Sequence, residues 1–250
     1  MRIEGLSALV TGGGRGLGAA LGRALCRARA RVALVARSED ELRRTVEGIR
    51  AAGGEAHALP WDLGRECAIH ALSGAAAALV GPIDLVVHCA SELGPTPLRP
   101  LHDTDCEDLE RVLAVNVVGP FRLTKALLGS MLLRGSGAIV QVSSDAAVVP
   151  YAGWGAYGAS KAALDQLGRV WGAELEGTGV RVVSVDPGEM DTAMHAAAMP
   201  EADRSALASP EAVAERLLDV VRTIEQAPNG ARLTLDQIPA RAAATSPVSA

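Results

Sequence analysis

Aromatic side chains are scarce in this chain, with one Phe, two Tyr and three Trp in 250 residues. Lysine is as rare: only Lys125 and Lys161 occur, and arginine carries nearly all the positive charge. The formal net charge is −5 with no basic stripe, so nucleic acid is not an expected partner. Cys26, Cys67, Cys89 and Cys106 lie apart without C-x-x-C spacing, which argues against a disulfide scaffold and for a reducing cytoplasm. The five histidines have no ligand spacing, so no metal site is expected. No apolar run approaches the ~18 residues of a membrane span, and the first residues enter a strand too soon for a signal peptide. Neither a Pro/Ser/Gly linker nor a repeat of solenoid period divides the chain.

What is present is a hydrophobic content of 49%, rich in alanine and valine, as suits helices packed closely on a parallel sheet. Apolar runs predict strands at 6–10, 31–36, 55–59, 83–88, 137–143, 179–185 and 231–235. Helical patterning falls at 16–29, 39–52, 64–80, 105–133, 155–177 and 209–226. This alternation predicts right-handed βαβ units and an α/β Rossmann fold: one domain, 1–236, with a doubly wound, mainly parallel seven-stranded sheet and ligands at the strands' carboxyl ends. Gln237–Ala250 lacks core-forming residues and reads as a mobile tail.

Three segments carry chemistry. Strand Ser7–Val10 runs into Thr11-Gly12-Gly13-Gly14-Arg15-Gly16-Leu17-Gly18, where glycines let backbone approach a pyrophosphate and the next helix offers free N–H groups. A second apolar strand from Gly137 ends in Ser143-Ser144. In the third segment, Tyr157 and Lys161 stand at i, i+4, sharing a helix face where an ammonium favours ionisation of a phenol with an ordinary pKa of about 10. Tyr157 therefore reads as a general acid/base.

Together these residues resemble the short-chain dehydrogenase/reductase family from about Leu6 to Thr192. The family's T-G-x-x-x-G-x-G is met by Thr11, Gly12, Gly16 and Gly18; its catalytic asparagine falls on Asn116, its serine on Ser144, and its Y-x-x-x-K on Tyr157 and Lys161. The resemblance implies cofactor contacts at Gly12, Arg15, Gly16, Leu17, Gly18, Arg37, Asp62, Leu63, Ala90, Tyr157, Lys161, Pro187, Gly188 and Thr192. Asp62 looks like the family aspartate at the adenine amine, although it could equally cap the next helix. Thr192 could likewise be only a helix N-cap.

The second strand ends in Ala36-Arg37 where an NAD enzyme presents a carboxylate, so Arg37, with Arg15, favours NADP(H); Ser38–Glu41 has the form of a capping box. The implied reaction is reduction of a ketone or aldehyde. Tyr157 protonates the oxygen, Ser144 hydrogen-bonds it, Lys161 lowers the tyrosine pKa and holds the nicotinamide ribose, and Asn116 anchors a water. Ser143 should point to the opposite face as a structural residue. The substrate is expected to be an apolar small-molecule carbonyl walled by Glu92–Arg99, Val148–Trp154 and Glu189–Met199. The alternatives are an NAD-dependent alcohol dehydrogenase and a non-catalytic dinucleotide sensor.

Three departures from the family pattern stand out. His88-Cys89-Ala90-Ser91 replaces N-N-A-G, Asp145 follows Ser144, and the last strand lacks the usual D-G-G, which makes a homodimer more secure than a homotetramer.

Overall fold

Seven strands form one wholly parallel sheet in the order β3-β2-β1-β4-β5-β6-β7. They are β1 (Ser7–Thr11), β2 (Arg31–Ala36), β3 (Glu55–Pro60), β4 (Leu85–His88), β5 (Gly137–Val142), β6 (Val180–Asp186) and β7 (Ala231–Thr234). The computed structural model describes residues 1–65 and 69–235. Cys67 and the expected tail Gln237–Ala250 lie outside them.

The two-residue period of a strand sends alternate side chains into two separate cores. Ala8, Val10, Val32, Leu34, Val87 and Val140 face one layer, built from α1 (Gly16–Arg27), α2 (Glu39–Ala51) and α8 (Pro210–Thr223). Leu9, Ala33, Val35, Val86, Ile139 and Val182 face the other, where α3 (Ile69–Val80) and α5 (Gly119–Arg134) pack. Burial on both faces explains why the central strands read as continuous apolar runs. Ser38 caps α2 by accepting the Glu41 N–H at 3.3 Å, as the capping box predicts.

The helix expected at 105–133 is not regular. It comprises α4 (Cys106–Leu113), a π-helical segment at Ala114–Val118, and α5. Cys106–Arg134 is long and apolar enough by length and composition to cross a membrane, contrary to the expectation that no segment is. Here it lies on the sheet with Leu123, Leu127 and Met131 in the core. The remaining α-helices are α6 (Gly155–Glu174), which carries Tyr157 and Lys161, and the short α7 (Ala193–Ala198), which lies outside the helical stretches read from the pattern although the sequence offers Thr192 as an N-cap.

Candidate active site

The carboxyl ends of the strands open into a cleft of about 1240 Å³. Its lining includes every expected cofactor residue from Gly12 to Thr192, together with Ser144, Tyr157 and Lys161. Asn116 does not reach it.

At the glycine turn, Gly12 has φ +70°, and a Cβ there would come within 2.8 Å of the Ala90 backbone nitrogen. Only glycine lets β1 and the loop after β4 close together. Arg15, the N-cap of α1, provides no side-chain cap, so the first turn's N–H groups are left for a ligand. Thr192 Cγ2 lies 3.6 Å from where a Gly16 Cβ would stand, which brings the segment after β6 against this turn. A close-packed glycine turn beside an uncapped helix start fits the diphosphate of a dinucleotide.

Arg15 and Arg37 both line the cleft, each half-exposed and paired with a carboxylate: Arg15 with Glu41 at 3.6 Å and Arg37 with Glu92 at 3.3 Å. Asp62 caps the following turn through the Gly64 N–H at 2.9 Å and also accepts Arg111 at 3.2 Å. Thr192 is indeed the N-cap of α7, accepting the His195 N–H at 3.1 Å.

Tyr157 and Lys161 occupy one face of α6, as their spacing requires. Both are buried, and the ammonium lies 5.5 Å from the phenol ring centroid and donates to the Val142 carbonyl at 2.8 Å. Burial pushes the Tyr157 phenol up to about 12, against the opposing pull of the nearby Ser144 and Ser91 hydroxyls. Burial likewise draws Lys161 down to about 8. The phenol thus lies above its ordinary value, not below it as the spacing led one to expect, because burial is the largest influence on it.

Ser144 Oγ donates to Asp145 Oδ1 at 3.0 Å and accepts the Ala146 N–H at 3.2 Å, while Tyr151 donates to Asp145 Oδ2 at 2.7 Å. Asp145 therefore holds the serine hydroxyl as well as capping the next turn. Ser143 Oγ is buried without a hydrogen-bond partner.

Asn116 sits in the π-helical segment, where departures from α-helical bonding often mark function. Its Oδ1 accepts the Glu92 N–H at 2.8 Å, and its Nδ2 donates to the Glu92 carbonyl at 2.8 Å and to Ser160 Oγ at 2.9 Å. Both amide protons are thereby spent. The side chain pins the loop after β4 to α6.

The His88–Ser91 loop is buried chemistry of a quieter kind. His88 Nε2 meets Thr124 Oγ1 at 2.9 Å, and burial, with the nearby Lys161 charge, lowers its pKa to about 3. Burial raises the Cys89 thiol to about 12, which fits inert filling. Among the described residues no cluster could hold a metal.

The lining of the cleft also includes the apolar Leu93, Trp154, Met190, Met194 and Met199, beside Tyr151, Glu189 and His195. Trp154 packs edge-on to the Tyr157 ring at 5.7 Å. Of the expected wall Glu92–Arg99 only Leu93 takes part, and Val148 and Val149 are exposed outside it. Sequence reasoning missed Arg111, Asp165 and Arg232. The one local signal was a charge inside the apolar strand Ala231–Thr234.

A parallel sheet in this order, with a glycine turn after its first strand and a buried tyrosine–lysine pair in the same cleft, defines a dinucleotide-binding oxidoreductase class. The family model for short chain dehydrogenase matches residues 7–203, and the chain belongs to that family of oxidoreductases. A short chain dehydrogenase of Pseudocercospora fijiensis is 39% identical over 198 residues, 78% of this chain and 63% of that protein. The chain thus spans less than two thirds of that relative's length. Among solved structures, a short chain dehydrogenase from Pseudomonas syringae superposes with a TM-score of 0.86 at 33% identity, covering 94% of this chain and 96% of the other. A metagenomic short-chain oxidoreductase in complex with NADP gives a TM-score of 0.79 at 31% identity, over 94% and 98% of the two chains.

Proposed function

We infer that this protein is an NADP(H)-dependent reductase that converts an apolar ketone or aldehyde to the alcohol. The observation that carries the reading is the convergence of a buried phenol, a serine hydroxyl and a buried ammonium in the cleft that also holds the glycine turn. Bound NADPH would supply hydride to the carbonyl carbon, its diphosphate held by the Gly12–Gly18 turn and its nicotinamide end by Pro187, Gly188 and Thr192.

Tyr157 gives its proton to the carbonyl oxygen. A phenol held near 12 keeps its proton at neutral pH and so has one to give. Ser144 turns its hydroxyl from Asp145 to that oxygen and stabilises the charge growing on it. Lys161, with a pKa of about 8, is mostly charged at pH 7 and restores the phenol proton.

Arg37 and Arg15 support NADP(H) over NAD(H). Their present pairs with Glu92 and Glu41 are half-exposed, and such pairs are worth about 0–1 kcal/mol. A 2′-phosphate offers a more strongly charged, bidentate acceptor and displaces them. The free cysteines Cys26, Cys89 and Cys106 accord with a reducing cytoplasm. A homodimer or homotetramer remains part of the proposal.

The test is to mix the protein with NADPH or NADH and a panel of apolar ketones and aldehydes and follow nicotinamide absorbance. Faster oxidation of NADPH supports the reading. A preference for NADH points to an NAD-dependent alcohol dehydrogenase, and tight cofactor binding without turnover on any substrate points to a sensor.

A further inference from the structure

Arg232 on β7 reaches three elements of the cleft at once. Its Nε donates to Asp165 Oδ2 at 2.9 Å, and its Nη2 donates to Asp186 Oδ2 and to the Ser144 carbonyl, each at 2.9 Å. Each acceptor adjoins the proposed machinery. Ser144 is itself the hydroxyl donor; Asp186 uses its other oxygen to accept the Gly188 N–H at 3.1 Å, so it fixes the Pro187–Gly188 turn. Asp165 stands one helical turn beyond Lys161 on α6, and its charge favours the protonated lysine.

Asp165 and Asp186 are both buried, and Asp165 Oδ1 has no partner. Two buried carboxylates are therefore balanced by Arg232 and Lys161. Removing the guanidinium, which ion-pairs both carboxylates directly, would leave uncompensated buried charge.

Resting on the reductase reading, we propose that Arg232 is a positioning residue that clamps Ser144 and the Pro187–Gly188 turn to the Tyr157–Lys161 helix and neutralises the two carboxylates behind the phenol. The charges around Tyr157 are Asp145 after β5, Asp186 at the end of β6 and Lys161 on its own helix, with the neutral His88 and Cys89 near Lys161. The field of Asp186 already opposes ionisation of the phenol. Without the guanidinium that opposition grows. Oxidation of the alcohol, which needs the phenol deprotonated, then starts at higher pH.

The test compares wild type, Arg232→Met and Arg232→Lys by steady-state kinetics in both directions, NADPH fluorescence titration and thermal unfolding. Arg232→Met is expected to lose about tenfold or more in kcat for reduction, as small misplacements of reacting groups do. It should bind NADPH more weakly, and the acid limb of its oxidation profile should move up by about half to one pH unit. Arg232→Lys keeps the charge but cannot span three acceptors, so it should restore the pH limb while recovering only part of kcat.

A folded Arg232→Met with wild-type kcat and pH limb overturns the proposal. So does a fall in melting temperature and rate with the pH limb unmoved. Should Arg232→Met fail to fold, Arg232→Lys decides alone, and full wild-type kcat overturns the clamp. If the wild type itself turns over no carbonyl, the reductase reading fails, and unchanged NADPH binding by the variants then rejects the clamp separately.

Discussion

Lys161 is nearly inaccessible, donates one hydrogen bond to the Val142 carbonyl, and carries its charge at a cost to the fold. Burial lowers its pKa from 10.5 to about 8 even though Cys89 and Asp165 pull the other way. That displacement corresponds to about 3 kcal/mol of destabilisation at neutral pH. Lys161→Met fills nearly the same volume without charge. It gives up the bond to Val142, worth about 1 kcal/mol, and withdraws a counter-charge from Asp165.

The net expectation is a gain of about 1–2 kcal/mol, or a melting temperature about 3–6 °C above wild type at pH 7, together with loss of turnover. The pH dependence follows from linkage. The folded lysine titrates below the unfolded one, so between about pH 8 and about 10.4 the unfolded chain binds more protons and wild-type stability rises with pH relative to the variant. Below pH 8 the gap is constant; above about 8 it closes. Thermal unfolding at pH 7 and pH 9.5 measures it. A variant less stable than wild type at pH 7, or a gap that widens with pH, would refute the claim that this lysine is held at the expense of stability.

Arg37→Ala should raise the KM for NADPH by about ten- to a hundredfold and leave NADH within about threefold, since a charged hydrogen bond to phosphate is worth about 1.5–3 kcal/mol. Paired saturation curves check this. Ser144→Ala should lower kcat by about 10²–10³ with little change in KM, the pattern of a donor that matters most in the transition state. In wild type, kcat/KM for reduction should be flat below about pH 8 and fall above it as Lys161 loses its proton, read from a pH–rate profile.

The sheet was legible from the chain because buried parallel strands announce themselves as apolar runs. The run at 31–36 is β2 to the residue, and 55–59 stops one short of Pro60. Apolar spacing could not reveal the slip of hydrogen bonding at Ala114–Val118, since side-chain periodicity barely changes across it. Six-residue α7 is too short for any periodic signal. Tyr157, Lys161 and Ser144 could be found because their spacings lie within one strand–helix unit. Arg232 could not, as its partners Asp165 and Asp186 lie 67 and 46 residues away and meet it only where α6 packs on β7 and where β6 pairs with β7. The pairing of Arg37 with Glu92, 55 residues apart, was hidden for the same reason.

The most direct measurement is the single-turnover rate of NADPH oxidation by Tyr157→Phe with a ketone that wild type reduces. Replacing the phenol by phenylalanine keeps the ring packed against Trp154 and removes only the proton donor. The rate should fall by about 10²–10⁴ while NADPH still binds. A variant that oxidises NADPH at the wild-type rate would contradict proton transfer from this tyrosine.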